Sequence, residues 1–191
     1  FAPDTVNGAD DASIQFASGG RVASFTVPAG STTATFSIPT LGLQLGSTAG
    51  TITVTMDQVR ANGQDITPTP APVITIRIPR SGPTITSVTA ARRADGFDVT
   101  ISGFSASRDM TSAAFHFNAA SGQTLGTTDL TVQLSTLFAA WYNSAASAPY
   151  GSLFTMVMPF NTGGASTSIA SVSVTLTNST GTSNTVTATL P

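Results

Sequence analysis

The stretch Gly96-Phe97-Asp98-Val99-Thr100-Ile101-Ser102 decides the fold class, because apolar and polar residues alternate along it without a break. Successive side chains of a β-strand point to opposite faces, so Phe97, Val99 and Ile101 share one face. The other face carries one acid and two hydroxyl groups. The stretch therefore predicts a strand with one buried side and one solvated side, which is typical of antiparallel sheets.

The same alternation recurs on both sides of this stretch. Apolar residues are spaced by two within residues 51–57, 74–78 and 115–117. We expect the three isoleucines of 74–78 to face the interior, and His116 to face solvent between two buried phenylalanines. Two sheets that stack through such apolar faces form a β-sandwich. The predicted fold class is therefore all-β, built from antiparallel β-sandwiches.

The composition excludes several classes of protein. Only 8% of the 191 residues are charged, every acid is Asp and every base is Arg, while Thr and Ser number 33 and 23. A helical bundle would need Glu and Lys on its solvated faces, since Thr and Ser are poorer helix formers. The net charge of −2 argues against nucleic-acid binding. The absence of Cys excludes disulfides and thiolate metal sites, and no run of about 18 apolar residues predicts a membrane-spanning helix.

A boundary near Arg80-Ser81-Gly82-Pro83 divides the chain into two predicted domains. The sequence TITVTMD at 51–57 is echoed by SVSVTLT at 171–177, and each is followed by a closing strand that ends in Pro. We expect two related sandwiches in tandem, at 1–80 and 83–191. The first is expected to lack an opening strand.

One segment of the second domain departs from the β pattern. Apolar residues within 135–142 are spaced by three and four, which predicts a short helical insertion near 135–143 that bridges the two sheets. Ser135 is the expected N-cap of this helix.

The closing hairpin of the second half reads SVTLTNSTGTS at 173–183, and an earlier strand–turn–strand pattern runs from Ile14 through Pro28-Ala29-Gly30-Ser31 to Phe36. Both stretches resemble the immunoglobulin-like and fibronectin-III-like modules of bacterial secreted and cell-surface proteins. The chain departs from antibody-type domains because it has no Cys–Trp–Cys core. The resemblance implies Ig-like sandwiches, a secreted or cell-surface location, and a structural or adhesive role without a cofactor.

Residues suited to catalysis or metal binding are few. The chain has one histidine, His116, and no G-x-S-x-G, no phosphate-binding glycine loop and no Glu for a carboxylate pair. We therefore expect a protein that is not an enzyme. Asp4, Asn7, Asp10 and Asp11 form an oxygen-rich cluster. A weak calcium site there stays open beside ordinary turn chemistry.

Two features indicate an interaction surface. Leu153 and Val157 are apolar on the strand face that should be solvated, and Trp141, Tyr142 and Tyr150 lie within one stretch of ten residues. Aromatic side chains anchor protein interfaces and stack on sugars, while packing in the core is the alternative for both features. We expect protein partners or self-assembly, with carbohydrate binding as the alternative. The scarcity of charge leaves strand edges undefended, which is compatible with a filament or array.

Overall fold

The computed structural model describes residues 1–8 and 10–191, and it is dominated by antiparallel strands. In the first part of the chain most strands are short. They are β1 (Ala2–Pro3), β2 (Gln15–Phe16), β3 (Phe25–Thr26), β4 (Thr35–Phe36), β5 (Leu43–Gln44), β6 (Gly50–Thr55), β7 (Arg60–Ala61), β8 (Gln64–Asp65) and β9 (Val73–Ile78).

The strands of the second part are longer, and one helix interrupts them. The elements are β10 (Thr84–Arg93), β11 (Gly96–Phe104), β12 (Ser112–Ala119), β13 (Asp129–Gln133), α1 (Ser135–Tyr142), β14 (Leu153–Asn161), β15 (Ile169–Thr177) and β16 (Val186–Thr189). Short 3-10 helices cover Ala145–Tyr150 and Ala165–Ser168. The predicted all-β class is confirmed.

Two sheets of the second part pack face to face. One has the order β10-β11-β14 and the other the order β13-β12-β15-β16. Phe97, Val99 and Ile101, the apolar residues of the deciding stretch, are all buried between them. The ring of Phe160 lies 5.1 Å from that of Phe97 and 5.0 Å from that of Phe115 on the opposite sheet. Such offset and edge-to-face contacts add to the burial of apolar area.

Helix α1 connects the two sheets, since it follows β13 of one sheet and leads into β14 of the other. Phe138 and Tyr142, four residues apart on one helix face, are buried. The helix over 135–142 is confirmed, but the predicted cap is wrong. The N-cap is Leu134, which has no side-chain capping bond, while Ser135 lies one position further in and donates to the carbonyl of Thr111 at 3.5 Å.

The first part contributes little to the large buried cluster, whose members all lie between Ile85 and Leu190. Strand β6 pairs with β1 and β9, and the remaining short strands form the pairs β2-β5, β3-β4 and β7-β8. Asn62 and Gly63 form the turn between β7 and β8, with φ angles of 48° and 80°. The three isoleucines of β9 were expected to face the interior, and this is wrong for Ile74, which is 65% exposed, while Ile76 and Ile78 are half-buried.

Candidate functional site

Three of the predicted interaction residues meet at one end of the sheet β10-β11-β14. Trp141 and Tyr150 have ring centroids 6.0 Å apart, and with Leu153 they line an open groove of about 510 Å³. The far wall carries hydroxyl groups, with Ser102 Oγ and Thr155 Oγ1 2.9 Å apart. Tyr150 is 54% exposed, whereas Trp141 is half-buried and packs against the core. The groove therefore places one exposed and one half-buried aromatic ring beside uncharged hydrogen-bonding groups.

Tyr142 does not join this group. Its side chain is only 1% exposed, its hydroxyl donates to the carbonyl of Ser152 at 2.8 Å, and burial raises the pKa of that hydroxyl far above its ordinary value. Tyr142 packs against Phe138, with ring centroids 5.8 Å apart. It is a core residue, and the packing alternative holds for it.

Leu153 and Val157 lie on the solvated face of β14, as predicted, with 47% and 56% of their surfaces exposed. Phe154 and Met156 of the same strand face inward and are buried. Strand β14 spans nine residues without a charged side chain. Among the strands of residues 1–8 and 10–191, its one neighbour in the sheet is β11. The two exposed apolar residues therefore stand on an edge strand.

The direction of the backbone groups of β14 follows from two hydrogen bonds just beyond its ends. Thr162 N donates to Asp95 O at 2.9 Å, and Ser105 N donates to Ser152 O at 3.1 Å. Hydrogen-bonded and non-hydrogen-bonded pairs alternate along an antiparallel ladder. Every second residue of β14 therefore bonds to β11, namely Phe154, Met156, Met158 and Phe160. The residues between them direct their backbone groups to the free edge, namely Leu153, Thr155, Val157, Pro159 and Asn161.

Pro159 agrees with this assignment. A proline has no backbone N–H, so within a sheet it is tolerated where that group would point away from the neighbouring strand. Pro159 is such a position, and the ladder to β11 continues past it to Asn161. No described residue outside β11 forms a backbone hydrogen bond with β14. Leu153, Thr155 and Val157 thus present a short row of free backbone donors and acceptors.

A buried polar cluster, which the sequence did not predict, joins the two parts of the chain. It centres on Arg108, a fully buried residue with a φ angle of 52°. Its guanidinium donates to the carbonyls of Tyr142 at 2.6 Å, of Asn7 at 3.0 Å, and of Gly151. Burial lowers the pKa of this guanidinium, because its charge is taken out of water.

Asp11 is the second buried member of the cluster. Its carboxylate accepts bonds from Ser13 N at 3.0 Å, Ser47 N at 2.8 Å and Thr48 N at 3.1 Å. The hydroxyl of Ser47 in turn accepts from Ser152 N at 3.0 Å. This set of bonds holds the segment that enters β14 against the first part of the chain.

The oxygen-rich cluster expected near the N-terminus is not assembled. Asp4 pairs with Arg77 and Arg80, Asp10 pairs with Arg21, and Asp11 points into the buried cluster. Asn7 donates to the backbone carbonyl of Arg108 at 2.8 Å. Across residues 1–8 and 10–191, no three acidic or histidine side chains come together as metal ligands. The arrangement offers no calcium site among these side chains.

His116 lies on the solvated face of β12, as predicted. Its Nδ1 lies 2.8 Å from Asp129 Oδ1, and this bond, with a second from Thr128, lowers the pKa of the Asp129 carboxyl. The register places Ser173 opposite His116 on the other side, but the hydroxyl of Ser173 is bonded to that of Thr187 at 2.8 Å. The side chains of His116, Asp129 and Ser173 stand on an open sheet face, where water screens their charges.

Comparison with known protein families, curated proteins and solved structures finds no match for this chain. In the part of the chain that the structure describes, no helix is both long and apolar enough to cross a membrane. Function must therefore be argued from the groove, the edge of β14 and the buried cluster.

Proposed function

We propose that this chain is a non-catalytic structural or adhesive module of a secreted bacterial cell-surface protein or extracellular filament, acting through protein–protein contacts. The observation that carries the proposal is the edge of β14. It combines free backbone groups, exposed Leu153 and Val157, and no charge. Natural sheet edges are usually protected by charge, bulges or cover, so an edge without charge is suited to pairing with another strand.

An Ig-like arrangement of two tandem sandwiches is part of the proposal. Two antiparallel sheets with packed inner faces in the second part are what one such module requires. The sequence echo also has a structural counterpart. Strand β6 pairs antiparallel with β9, and β15 pairs antiparallel with β16. These equivalent pairings support a common origin of the two parts.

Replacing Val157 with lysine is expected to weaken self-association at least about tenfold, because a charged side chain on an edge strand opposes pairing. Light scattering coupled to size exclusion, with negative-stain images of the same fractions, measures this over a concentration series. Leu137→Lys is the matched control, since Leu137 is an equally exposed apolar residue on α1. A chain that stays monomeric throughout, or equal effects of the two substitutions, would contradict the proposal.

Carbohydrate binding is the second candidate, and the groove of Trp141 and Tyr150 favours it. Aromatic faces beside hydroxyl groups match the alternating apolar and polar surfaces of a sugar. Tyr150→Ala is expected to reduce any affinity for soluble oligosaccharides at least about tenfold, a loss of about 1.4 kcal/mol in binding free energy, because it removes the exposed one of the two aromatic rings of the groove. Titration calorimetry with a panel of oligosaccharides measures it, with Leu137→Ala as control. An absence of binding across the panel would contradict this candidate.

A further inference from the structure

The free edge of β14 has a definite length and a definite chemistry. Pairing can use the backbone groups of Leu153, Thr155 and Val157, and it ends at Pro159, which has no N–H to donate. At the other end Gly151 has a φ of 58° and lies outside the strand. A partner strand therefore meets about five residues, with three side chains on the solvated face.

We infer that the partner is β14 of a second copy of this chain, paired antiparallel about a two-fold axis at Thr155. This inference rests on the function proposed above. In an antiparallel pair, two residues that face each other either both direct their backbone groups to the shared edge or both direct them away from it. The condition is satisfied only by registers that place the residues directed to the free edge, such as Leu153, Thr155 and Val157, opposite one another.

The register centred on Thr155 uses the backbone donors of Leu153, Thr155 and Val157. It places Leu153 opposite Val157 of the second copy, Thr155 opposite Thr155, and Val157 opposite Leu153. A shift of the centre to Phe154 would place Val157 opposite Gly151, which is outside the strand. A shift to Met156 would place Leu153 opposite Pro159, which cannot donate. The centre at Thr155 therefore pairs Leu153, Thr155 and Val157 with one another and keeps Gly151 and Pro159 out of the ladder.

Side-chain chemistry favours the same register. Apolar residues meet apolar residues, and hydroxyl meets hydroxyl, which are stabilising cross-strand pairs. No charge lies on the strand, so the two-fold axis brings no like charges together. A patch that is complementary to itself in the reversed direction is what an isologous contact requires. The resulting sheet would run through six strands, β10-β11-β14 of each copy.

The chain has no cysteine, so single cysteines report the register directly. Residues opposite each other have Cβ atoms about 5 Å apart, whereas Leu153 of one copy lies about 13 Å along the strand from Leu153 of the other. Thr155→Cys is expected to give at least about tenfold more covalent dimer than Leu153→Cys with a short bis-methanethiosulfonate reagent. The double substitution of Leu153 and Val157 with cysteine is expected to restore cross-linking.

Thr89→Cys is the matched control, because Thr89 is an exposed threonine on β10 of the same sheet. A second variant, Val157→Pro, removes a donor from the free edge without removing one from the β11 ladder. It is expected to lower association at least about tenfold while the melting temperature stays within a few degrees. Association measured by light scattering, without cross-linking of the Thr155→Cys variant, would overturn the register and leave the proposed function standing. A monomeric chain would overturn both.

Discussion

Arg108→Ala is expected to lower the free energy of unfolding by about 4 kcal/mol. The side chain is fully buried, and its loss leaves the carbonyls of Asn7, Tyr142 and Gly151 without their donor. Each buried polar group left unpaired costs about 1 to 3 kcal/mol. The guanidinium also lies 4.7 Å from the ring centroid of Tyr142, and this cation–π contact is lost too. The substitution also removes the buried charge of Arg108, and this offsets part of the loss in the free energy of unfolding.

Urea unfolding followed by the fluorescence of Trp141 measures this change. Arg60→Ala is the control, since Arg60 is exposed on the hairpin β7-β8 and its loss should change the free energy of unfolding by less than about 0.5 kcal/mol. Arg108→Lys should resemble Arg108→Ala, because an ammonium group cannot present the planar fork that reaches three carbonyls. If Lys restored wild-type stability, the guanidinium geometry would not be what holds the cluster together.

The strands of the second part could be predicted because the alternation of apolar and polar residues within each strand indicates which of its faces is buried. Alternation in residues 96–102 reports one buried and one solvated face, and both are found. The helix over 135–142 was likewise readable from its spacing. The different burial of its aromatic residues was not readable from that spacing. Trp141 stands three positions and Tyr142 four positions from Phe138, and both spacings place a residue on the same helix face, yet only Tyr142 is fully buried while Trp141 is half-buried against the core.

Arg108 was not predictable in this way, because its partners are remote in sequence. Asn7 is 101 residues away and Gly151 is 43. An arginine between Ser107 and Asp109 in a connection normally indicates a solvated turn. The free edge of β14 was also hidden, since strand order depends on long-range pairing. Pro159 was the one local sign, because proline within a strand favours an edge position.

Asp11→Asn is expected to lower the free energy of unfolding by about 3 kcal/mol. One carboxylate oxygen accepts from Ser13 N, and the other accepts from Ser47 N and Thr48 N. An asparagine must turn its NH₂ group toward one of these sets, so donors would face donors. Hydrogen bonds to a charged group contribute about 1.5 to 3 kcal/mol each, and the bonds on one oxygen are lost. Asp57→Asn, at an exposed site, is the control.

The pH dependence of the free energy of unfolding distinguishes the effect of the charge of Asp11 from the effect of its side-chain shape. Burial raises the pKa of this carboxyl, but the bonds from Ser13, Ser47 and Thr48 outweigh burial, and the net pKa is lowered. A carboxyl with a lower pKa in the folded state stabilises the fold above its unfolded pKa of about 3.9, and this contribution is lost as the pH falls through the folded value.

The difference in the free energy of unfolding between wild type and Asp11→Asn, measured with urea, should therefore be full near about pH 7 and shrink below about pH 4. Asp10, Asp65 and Asp129 also have lowered pKa values, so both proteins lose stability in acid, and only their difference reports Asp11. A difference that stays constant down to about pH 2 would show that the shape of the side chain, and not its charge, holds the two parts of the chain together.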